Sequence, residues 1–329
     1  MAHAYCTYFD SGYLSRGLAL IESLREHGDE SPVWVMALDD AAKAYLDDAA
    51  LPGVVTMTVA DLEGDIAALA PLKQERSRME YYFTTTPLLV EYVMNHSAAP
   101  TTVAYLDSDL YFFDDPHLVF EAMGGSSVGI IAHGYPARLA RRLAKYGTYN
   151  VGWVGFAPDD RGRACLRWWG ASTLEWCGDT PQDGKYADQG YLDEFPTRFD
   201  GVAALSPAGL NVAPWNTAAH VIAAHGDTVT VDGDPLVFFH FHGVKRTRRW
   251  WMTSQLVYEA PMNAVLRDRV YVPYLRRLEH FDRIVAESPL VPAASVAKRG
   301  TGVRGLLFRA QRGVLGALNV VSRNAIRAS

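Results

Sequence analysis

The stretch "VAYLDSDLYFFDDP", residues 103–116, decides the fold class and the chemistry expected of this chain. An apolar run typical of a buried strand ends in two carboxylates one residue apart, Asp107 and Asp109. Side chains at positions i and i+2 of an extended backbone point to the same side, so the two carboxylates can converge. A carboxylate is costly to remove from water unless it is paired or bound to a cation. The motif therefore indicates either a divalent-cation site or a solvated loop.

Strand and helix patterns alternate on both sides of this stretch. Before it, "HAYCTYF" (3–9), "VWVMAL" (33–38) and "VVTMTV" (54–59) predict strands, and "SGYLSRGLALIESLREHG" (11–28) predicts a helix closed by its last glycine. A further helical pattern over residues 75–96 contains Pro87, where we expect a kink or a break. After it, "VGIIAH" (128–133), "VGWVGFA" (151–157) and "PLVFFHF" (235–241) predict three more strands. This rhythm predicts an α/β fold with a mixed, mostly parallel sheet flanked by helices.

Composition and charge indicate a globular protein with two regions. Of 329 residues, 49% are hydrophobic and 21% charged, which excludes a disordered chain. Residues 288–329 carry seven basic and no acidic side chains, whereas the remainder carries 24 basic and 37 acidic ones. We predict a catalytic domain over residues 1–250 and a helical C-terminal extension with a basic tail over 251–329. The tail is expected to contact an anionic membrane surface, and we expect no nucleic-acid partner.

The cysteines and the N-terminus predict a cytoplasmic protein, peripheral at the inner face of the plasma membrane. Cys6, Cys165 and Cys177 have no metal-finger or CxxC spacing and fit a reducing compartment as buried thiols. The N-terminal residues lack a secretory signal pattern, and no apolar run approaches the ~18 residues that span a bilayer. The sequence contains no P-loop, and no G-x-G-x-x-G turn follows the first predicted strand.

A second predicted strand also ends in metal-binding side chains. "FFHFHG", residues 238–243, places His240 and His242 after an apolar run. Ligands collect at the carboxyl ends of strands in α/β sheets, so we expect at least one imidazole near the Asp107–Asp109 pair. A lone histidine at a strand end is more often a hydrogen-bonding group than a ligand. An imidazole beside two carboxylates favours Mn²⁺ over Mg²⁺.

These motifs resemble those of the family 8 glycosyltransferases, which have the GT-A (Rossmann-like) fold. The resemblance implies that Asp107, Asp109 and His240 bind Mn²⁺ (or Mg²⁺) together with the diphosphate of a nucleotide sugar. "YNVGWVGF" (149–156) resembles the family's donor-sugar strand, and "ADQGYLDEF" (187–195) resembles its Asp-Gln block. The four blocks run in the family's order between residues 5 and 250. The implied donor-binding residues are Asp107, Ser108, Asn150, Gly152 and Gly243.

The sequence departs from the family at two places where the family carries a positively charged side chain. An arginine that the family carries in the helix before the Asp pair is missing, and Lys73, Arg76 and Arg78 lie nearby instead. The family's Lys-Pro-Trp after the glycine is replaced by "VKRTRRWW" (244–251), where Lys245 or Arg246 can reach the diphosphate. We take Arg78 and Lys245 as donor-binding candidates.

The resemblance implies transfer of a hexose from a nucleotide diphosphate, expected to be UDP, to a glycan or lipid-linked acceptor with retention. It assigns Asp188 and Gln189 as catalytic residues on the β-face of the donor sugar. The structural alternative for Asp188 is a surface helix N-cap. The nucleotide is expected on the first strand and its turn, at Thr7, Phe9, Asp10 and Tyr13.

Several other interpretations stay open at this stage. Tyr13 can simply pack the first helix on the sheet, and Asn211, Trp215 and Asn216 either contact a ligand or form a loop. A haloacid-dehalogenase-type phosphatase also uses Asp-x-Asp after a strand, although it does so near the start of its domain. A non-catalytic nucleotide-sugar-binding protein is the alternative from a different functional class.

Overall fold

The computed structural model describes residues 3–182, 184–247, 249–292 and 324–328. Its strands are β1 His3–Phe9, β2 Val33–Ala37, β3 Val54–Thr58, β4 Thr102–Leu106, β5 Leu110–Phe112, β6 Val128–Ala132, β7 Tyr149–Phe156, β8 Val202–Leu205, β9 Ile222–His225, β10 Thr228–Val231, β11 Asp234–Pro235, β12 Phe238–His240, β13 Lys245–Arg246, β14 Trp250–Met252 and β15 Ala325–Arg327. Its α-helices are α1 Leu14–Glu26, α2 Asp40–Ala49, α3 Val59–Asp65, α4 Leu69–Glu75, α5 Arg78–His96, α6 His117–Ala122, α7 Leu143–Tyr146, α8 Asp160–Glu175, α9 Phe195–Arg198 and α10 Val272–Glu287.

A seven-stranded sheet forms the centre of the fold, in the order β3-β2-β1-β4-β7-β6-β8. Its first four strands are parallel, β7 runs antiparallel to both neighbours, and β8 is parallel to β6. The predicted mixed, mostly parallel sheet is therefore confirmed. A separate antiparallel pair, β5 with β12, lies beyond the end of β4 and matters most for the site.

Two apolar layers cover the faces of the sheet because its strands alternate their side chains. On β1, Tyr5 and Phe9 pack into one core with α1 and α2, and Ala4 and Cys6 pack into the opposite core with α5 and α8. The alternation follows from the two-residue period of a strand, and each face is then covered by helices whose apolar residues recur at helical spacing.

Helix α5 runs without a break from Arg78 to His96, so the break expected at Pro87 as the alternative to a kink is wrong. The proline removes one backbone hydrogen bond. Every residue from Thr84 to Val90 is buried, and this packing outweighs the loss. A capping box begins the helix: the Ser77 side chain accepts from the backbone of Glu80, and the Glu80 side chain accepts from the backbone of Ser77.

The chain after residue 250 contributes both a helix and a strand. Helix α10 packs against α1 through an aromatic cluster that includes Phe241, Tyr271 and Tyr274. Strand β15 pairs with β14. The division at residue 250 stays a prediction, and most of the basic tail lies outside the described residues. Within the described ranges, no helix is both long enough and apolar enough to cross a bilayer.

Candidate functional site

The carboxylate pair lies in a tight turn between β4 and β5. The backbone N–H of Asp107 donates to the carbonyl of Gly152 at 2.9 Å, and the carbonyl of Asp107 accepts from Leu110 at 3.1 Å. The backbone N–H of Phe241 donates to the carbonyl of Asp109 at 2.9 Å. Because His240 is in register with Leu110 in the β5–β12 pair, these bonds bring its side chain directly beside the two carboxylates.

The imidazole of His240 contacts both carboxylates. Its Nε2 lies 3.1 Å from Oδ1 of Asp109 and 3.6 Å from Oδ2 of Asp107. The hydroxyl of Tyr105 donates to Oδ1 of Asp107 at 2.9 Å. His240 is almost fully buried, with 3% of its surface exposed, whereas both carboxylates reach a cavity. The structure therefore brings together the three side chains predicted to share a cation.

Burial and mutual charge set the protonation of this group. Burial raises the pKa of Asp107, and the Asp109 charge adds to that rise. Burial also opposes ionisation of Asp109, but the His240 charge and hydrogen bond outweigh it and hold the pKa of Asp109 at about 2. Burial lowers the pKa of His240, and the two carboxylates more than compensate, so its net shift is upward.

The donor set fits a divalent cation. Two adjacent ligands of an octahedral ion at about 2.1 Å lie about 3 Å apart, and the Asp109–His240 separation is 3.1 Å. Ligand atoms of Asp109, His240 and His242 all lie within 4.8 Å of one another. His242 thus joins the predicted ligands, and Oδ2 of Asp107 lies 3.6 Å from Nε2 of the same His240 imidazole. Carboxylate and imidazole donors together suit Mn²⁺.

A chain of amide groups connects β7 to the segment that carries Asp188. The Oδ1 of Asn150 accepts from the backbone of Gly152 at 3.0 Å, and its Nδ2 donates to Oε1 of Gln189 at 3.1 Å. The Nε2 of Gln189 then donates to the carbonyl of Tyr146 at 2.6 Å. These bonds fix the orientation of both amides at the wall of the cavity.

Gly152 lets His240 approach this chain. A Cβ at this position would lie 2.6 Å from Oδ1 of Asn150 and 2.7 Å from Nδ1 of His240. Both distances are shorter than real van der Waals contacts, so residue 152 has no room for a side chain and must be glycine in this arrangement.

Asp188 is buried in the cavity wall, with 4% of its surface exposed. It precedes the 3-10 turn Gln189–Glu194, yet its side chain makes no capping hydrogen bond to that turn. The surface N-cap alternative therefore fails. Burial raises the pKa of Asp188 to about 7, and the nearby Asp107 charge contributes to the rise. The indole of Trp169 donates to its backbone carbonyl at 2.9 Å.

Two adjoining cavities meet at Asp107 and His240. The N-terminal cleft, of about 670 Å³, is lined by predicted nucleotide-binding residues, namely Phe9, Asp10, Tyr13, Arg78, Ser108, Asp107 and Asp109. The aromatic cavity, of about 290 Å³, is lined by Asn150, Asp188 and Gln189 and by the side chains of Tyr135, Arg142, Tyr146, Tyr186, Trp215 and Tyr258. Tyr8, Phe83, Asp107, His240 and His242 line both.

Tyr13 and Arg78 are held at the mouth of the N-terminal cleft. The Tyr13 ring is 46% exposed, with the Arg16 guanidinium 4.5 Å from its centroid, so it does not serve only as packing for α1. The Nη2 of Arg78 lies 3.1 Å from Oδ2 of Asp10, and its Nε donates to the hydroxyl of Tyr82 at 2.9 Å.

Some predicted residues lie away from the cavities. Thr7 is fully buried within β1 and lines neither cavity. Gly243 forms the turn after His242 at φ +72°, where a Cβ would meet Oγ of Ser254. Lys245 is exposed on β13, next to Arg246, whose Nη1 lies 2.7 Å from Oδ2 of Asp282 on α10.

The remaining open interpretations also receive a structural answer. Arg76 donates to Thr84 and to backbone carbonyls of α8, so it holds α5 and α8 together. Asn216 donates to the carbonyls of His133 and Asn211 at 3.0 Å each and accepts from Ala213, so it organises a loop. Trp215 does line the aromatic cavity, with its ring centroid 5.0 Å from that of His240.

Sequence reasoning missed most of the wall of the aromatic cavity. Tyr135, Arg142, Tyr186 and Tyr258 come from loops and short turns far apart in the chain, and no local motif marks them. The high tyrosine content, 17 residues, was the one general signal for an aromatic site.

No family model matches the chain. The uncharacterized protein YfnF of Bacillus subtilis (strain 168) is 33% identical over 252 residues, which cover 74% of this chain and 82% of YfnF. The uncharacterized protein YfnD of the same organism is 26% identical over 289 residues, covering 87% of this chain and 92% of YfnD.

A solved structure shows the fold. The galactosyltransferase LgtC, in complex with donor and acceptor sugar analogues, matches with a TM-score of 0.51 at 15% identity, over 90% of this chain and 99% of LgtC. An identity this low supports a shared architecture, and it confirms at the level of the fold the resemblance noted in the sequence. The chain belongs to the family of YfnF and has the GT-A fold.

Proposed function

We propose that this protein is a metal-dependent glycosyltransferase that moves a hexose from UDP to a glycan or lipid-linked acceptor with retention. One observation carries the proposal: Asp107 and His240 line both the N-terminal cleft and the aromatic cavity, and Asp109 lies 3.1 Å from His240 on the cleft side. A nucleotide sugar has its diphosphate between the nucleoside and the sugar. Its three parts therefore match the cleft, the junction and the cavity in order.

The N-terminal cleft suits a nucleoside. Phe9 and Tyr13 offer aromatic surface, and Asp10 and Arg78 offer a hydrogen-bonding pair at the rim. Ser108 lies between the two metal-ligand carboxylates and also lines the cleft.

The junction suits a diphosphate with its cation. We assign Asp107, Asp109 and His240 as ligands of Mn²⁺ or Mg²⁺, and His242 as a further candidate within the same cluster. A bound cation neutralises negative charge on the departing diphosphate. Lys245, whose charge contributes to lowering the pKa of His242, is our candidate for additional positive charge in the segment after Gly243.

The donor-sugar end of the aromatic cavity suits a retaining transfer. Asn150 and Gln189 hold each other, so their free amide hydrogens are preorganised for sugar hydroxyls. Asp188 is aimed into the same cavity, and its carboxylate stabilises positive charge that develops at the anomeric carbon. Its pKa of about 7 means that a substantial fraction is ionised at neutral pH. The surrounding tyrosines exclude water from the reacting centre.

The acceptor class and the cellular location complete the proposal. A lipid-linked acceptor requires the enzyme at a membrane, and the basic residues between 298 and 323 are our candidates for that contact. These residues lie outside the described part of the chain. A cytoplasmic location is proposed from the cysteine usage.

A nucleotide-sugar panel tests the function. Thermal stability and release of UDP are measured with UDP-glucose, UDP-galactose and UDP-N-acetylglucosamine, each with and without Mn²⁺. We expect one donor to raise the melting temperature only with Mn²⁺, in proportion to the logarithm of its concentration, and to be slowly hydrolysed. Asp107→Ala removes both effects, whereas Asp48→Ala, an exposed aspartate on α2, retains them.

The same panel separates the alternatives. Binding without hydrolysis or transfer identifies a non-catalytic nucleotide-sugar-binding protein. An aspartyl phosphate trapped at Asp107 identifies a phosphatase. Either result, or full activity in Asp107→Ala, overturns the proposal.

A further inference from the structure

Arg142 is a positive charge in the aromatic cavity that has no acidic partner among the described residues. It ends the 3-10 turn Ala137–Arg142, just before α7. Its guanidinium carbon lies 4.7 Å from the ring centroid of Tyr258, and its side chain is half-buried. Its Nε is fully covered and makes no hydrogen bond to any described residue.

Other arginines around the two cavities are engaged. Arg78 pairs with Asp10, and Arg16 donates to the carbonyl of Val244 at 2.9 Å. Arg138, one turn before Arg142, pairs with Glu259. A covered N–H group without a hydrogen-bond partner is costly, so the structure has a place at Arg142 for an acceptor, and the guanidinium charge favours a negative one. The planar guanidinium matches carboxylate and phosphate groups through paired hydrogen bonds.

Arg142 lies among the aromatic residues of the cavity, beside Tyr258, and no hydrogen bond or ion pair joins it to Asn150 or Asp188 in the described part of the chain. Burial raises the pKa of Tyr135 and Tyr258, and the Arg142 charge opposes the rise in both. Trp215 and Tyr258 form aromatic walls beside Arg142, with ring centroids 6.1 Å apart. Such walls suit the apolar face of a second sugar ring.

We propose that the acceptor is an anionic saccharide, a hexuronate or a sugar phosphate, whose negative group pairs with Arg142. This inference rests on the proposed glycosyl transfer, and it specifies the acceptor that the transfer uses. Arg142 is a specificity-determining residue for that acceptor.

Binding measurements with small probes test the inference. Saturation-transfer NMR with UDP and Mg²⁺ present compares methyl β-D-glucuronide, glucose 6-phosphate and the neutral methyl β-D-glucoside. We expect at least one anionic probe to bind about tenfold or more tightly than the neutral one, as a charge-assisted pair provides. Comparison of the two anionic probes distinguishes a carboxylate from a phosphate.

Two matched variants assign the preference to one side chain. Arg142→Gln is expected to bring the anionic and neutral probes within about twofold of each other. Arg141→Gln removes the same charge from the preceding residue, which is exposed and does not line the cavity, and it should keep the preference. Melting temperatures of both variants establish that they are folded. If Arg142→Gln is not folded, Arg142→Lys, which keeps the charge without the planar fork, is measured in its place.

The outcomes separate this inference from the proposed function. A wild-type protein that hydrolyses a UDP-sugar but does not prefer an anionic probe overturns the inference alone. The inference is also overturned if Arg141→Gln and Arg142→Gln lose the preference for anionic probes equally. A third contrary outcome is that Arg142→Gln loses UDP affinity but keeps the preference for anionic probes. A wild-type protein that binds no UDP and releases none from any donor overturns the proposed function itself.

Discussion

Replacing Gly152 by alanine tests whether close contact between β7 and His240 keeps the cation site in place. The new methyl group would lie 2.7 Å from Nδ1 of His240, whereas ordinary contacts begin at 3.4 Å, so the imidazole must move by about 0.7 Å. Coordination distances tolerate changes of about 0.2 Å. The methyl group cannot avoid the imidazole by moving toward Asn150, because it would already lie 2.6 Å from Oδ1 of that residue.

The expected result is a loss of metal-dependent nucleotide affinity. Disturbing the groups that orient a metal ligand typically costs about 10–100-fold in metal affinity. In calorimetric titrations with UDP at constant Mn²⁺, we expect the affinity of Gly152→Ala for UDP to be lower than that of the wild type by about this factor. Overpacking should also lower the free energy of unfolding by about 1–3 kcal/mol.

The matched control is Gly64→Ala. Gly64 is exposed on α3 and a Cβ there meets nothing within 4 Å, so the change should leave UDP binding unaltered and slightly stabilise the helix. If Gly152→Ala binds UDP within twofold of the wild type, with an unchanged melting temperature, the spatial argument for His240 is refuted.

Three further predictions follow from named contacts. In metal-free protein, Asp188→Asn should have a higher melting temperature than the wild type, and the difference should grow from pH 4 to pH 8. The folded pKa of Asp188 is about 7 against a reference of 3.8, so ionisation over this range destabilises the wild type and not the variant. A difference that does not change with pH would contradict the buried environment of Asp188. Lys245→Ala should weaken UDP binding several-fold in calorimetry, whereas Arg246→Ala, whose guanidinium is held by Asp282, should change it less than twofold; the reverse order would assign the diphosphate to Arg246. Asn216→Ala should lower the free energy of unfolding in urea by about 2–4 kcal/mol because it leaves buried loop groups unpaired; a loss below about 1 kcal/mol would contradict that role.

The position of the Asp pair could be predicted from the sequence because it depends on local rules. An apolar strand ends at Leu106, and the spacing of Asp107 and Asp109 brings both side chains toward the junction of the cavities. The approach of His240 was expected for a different reason from the one observed. It lies in the antiparallel β5–β12 pair and not at the carboxyl end of a parallel strand of the main sheet.

The aromatic cavity could not be predicted because its wall depends on tertiary packing. Tyr135 lies in a loop, and Arg142 and Tyr258 end short 3-10 turns. The paths of these segments are set by long-range contacts, such as the hydrogen bond from Arg138 to the carbonyl of Glu259. The uninterrupted helix through Pro87 has the same origin. A proline predicts a break from local geometry, and burial of the surrounding residues overrides that tendency.

The most direct test of the account is the location of the cation itself. Crystals grown with MnCl₂ and UDP should give a manganese anomalous-difference peak within about 2.0–2.4 Å of side-chain donor atoms of Asp109 and His240, with the UDP diphosphate bound to the same ion. Asp107 or His242 is expected to complete the protein ligands. A peak elsewhere on the molecule, or UDP bound in the N-terminal cleft with no cation between Asp109 and His240, would contradict the central claim.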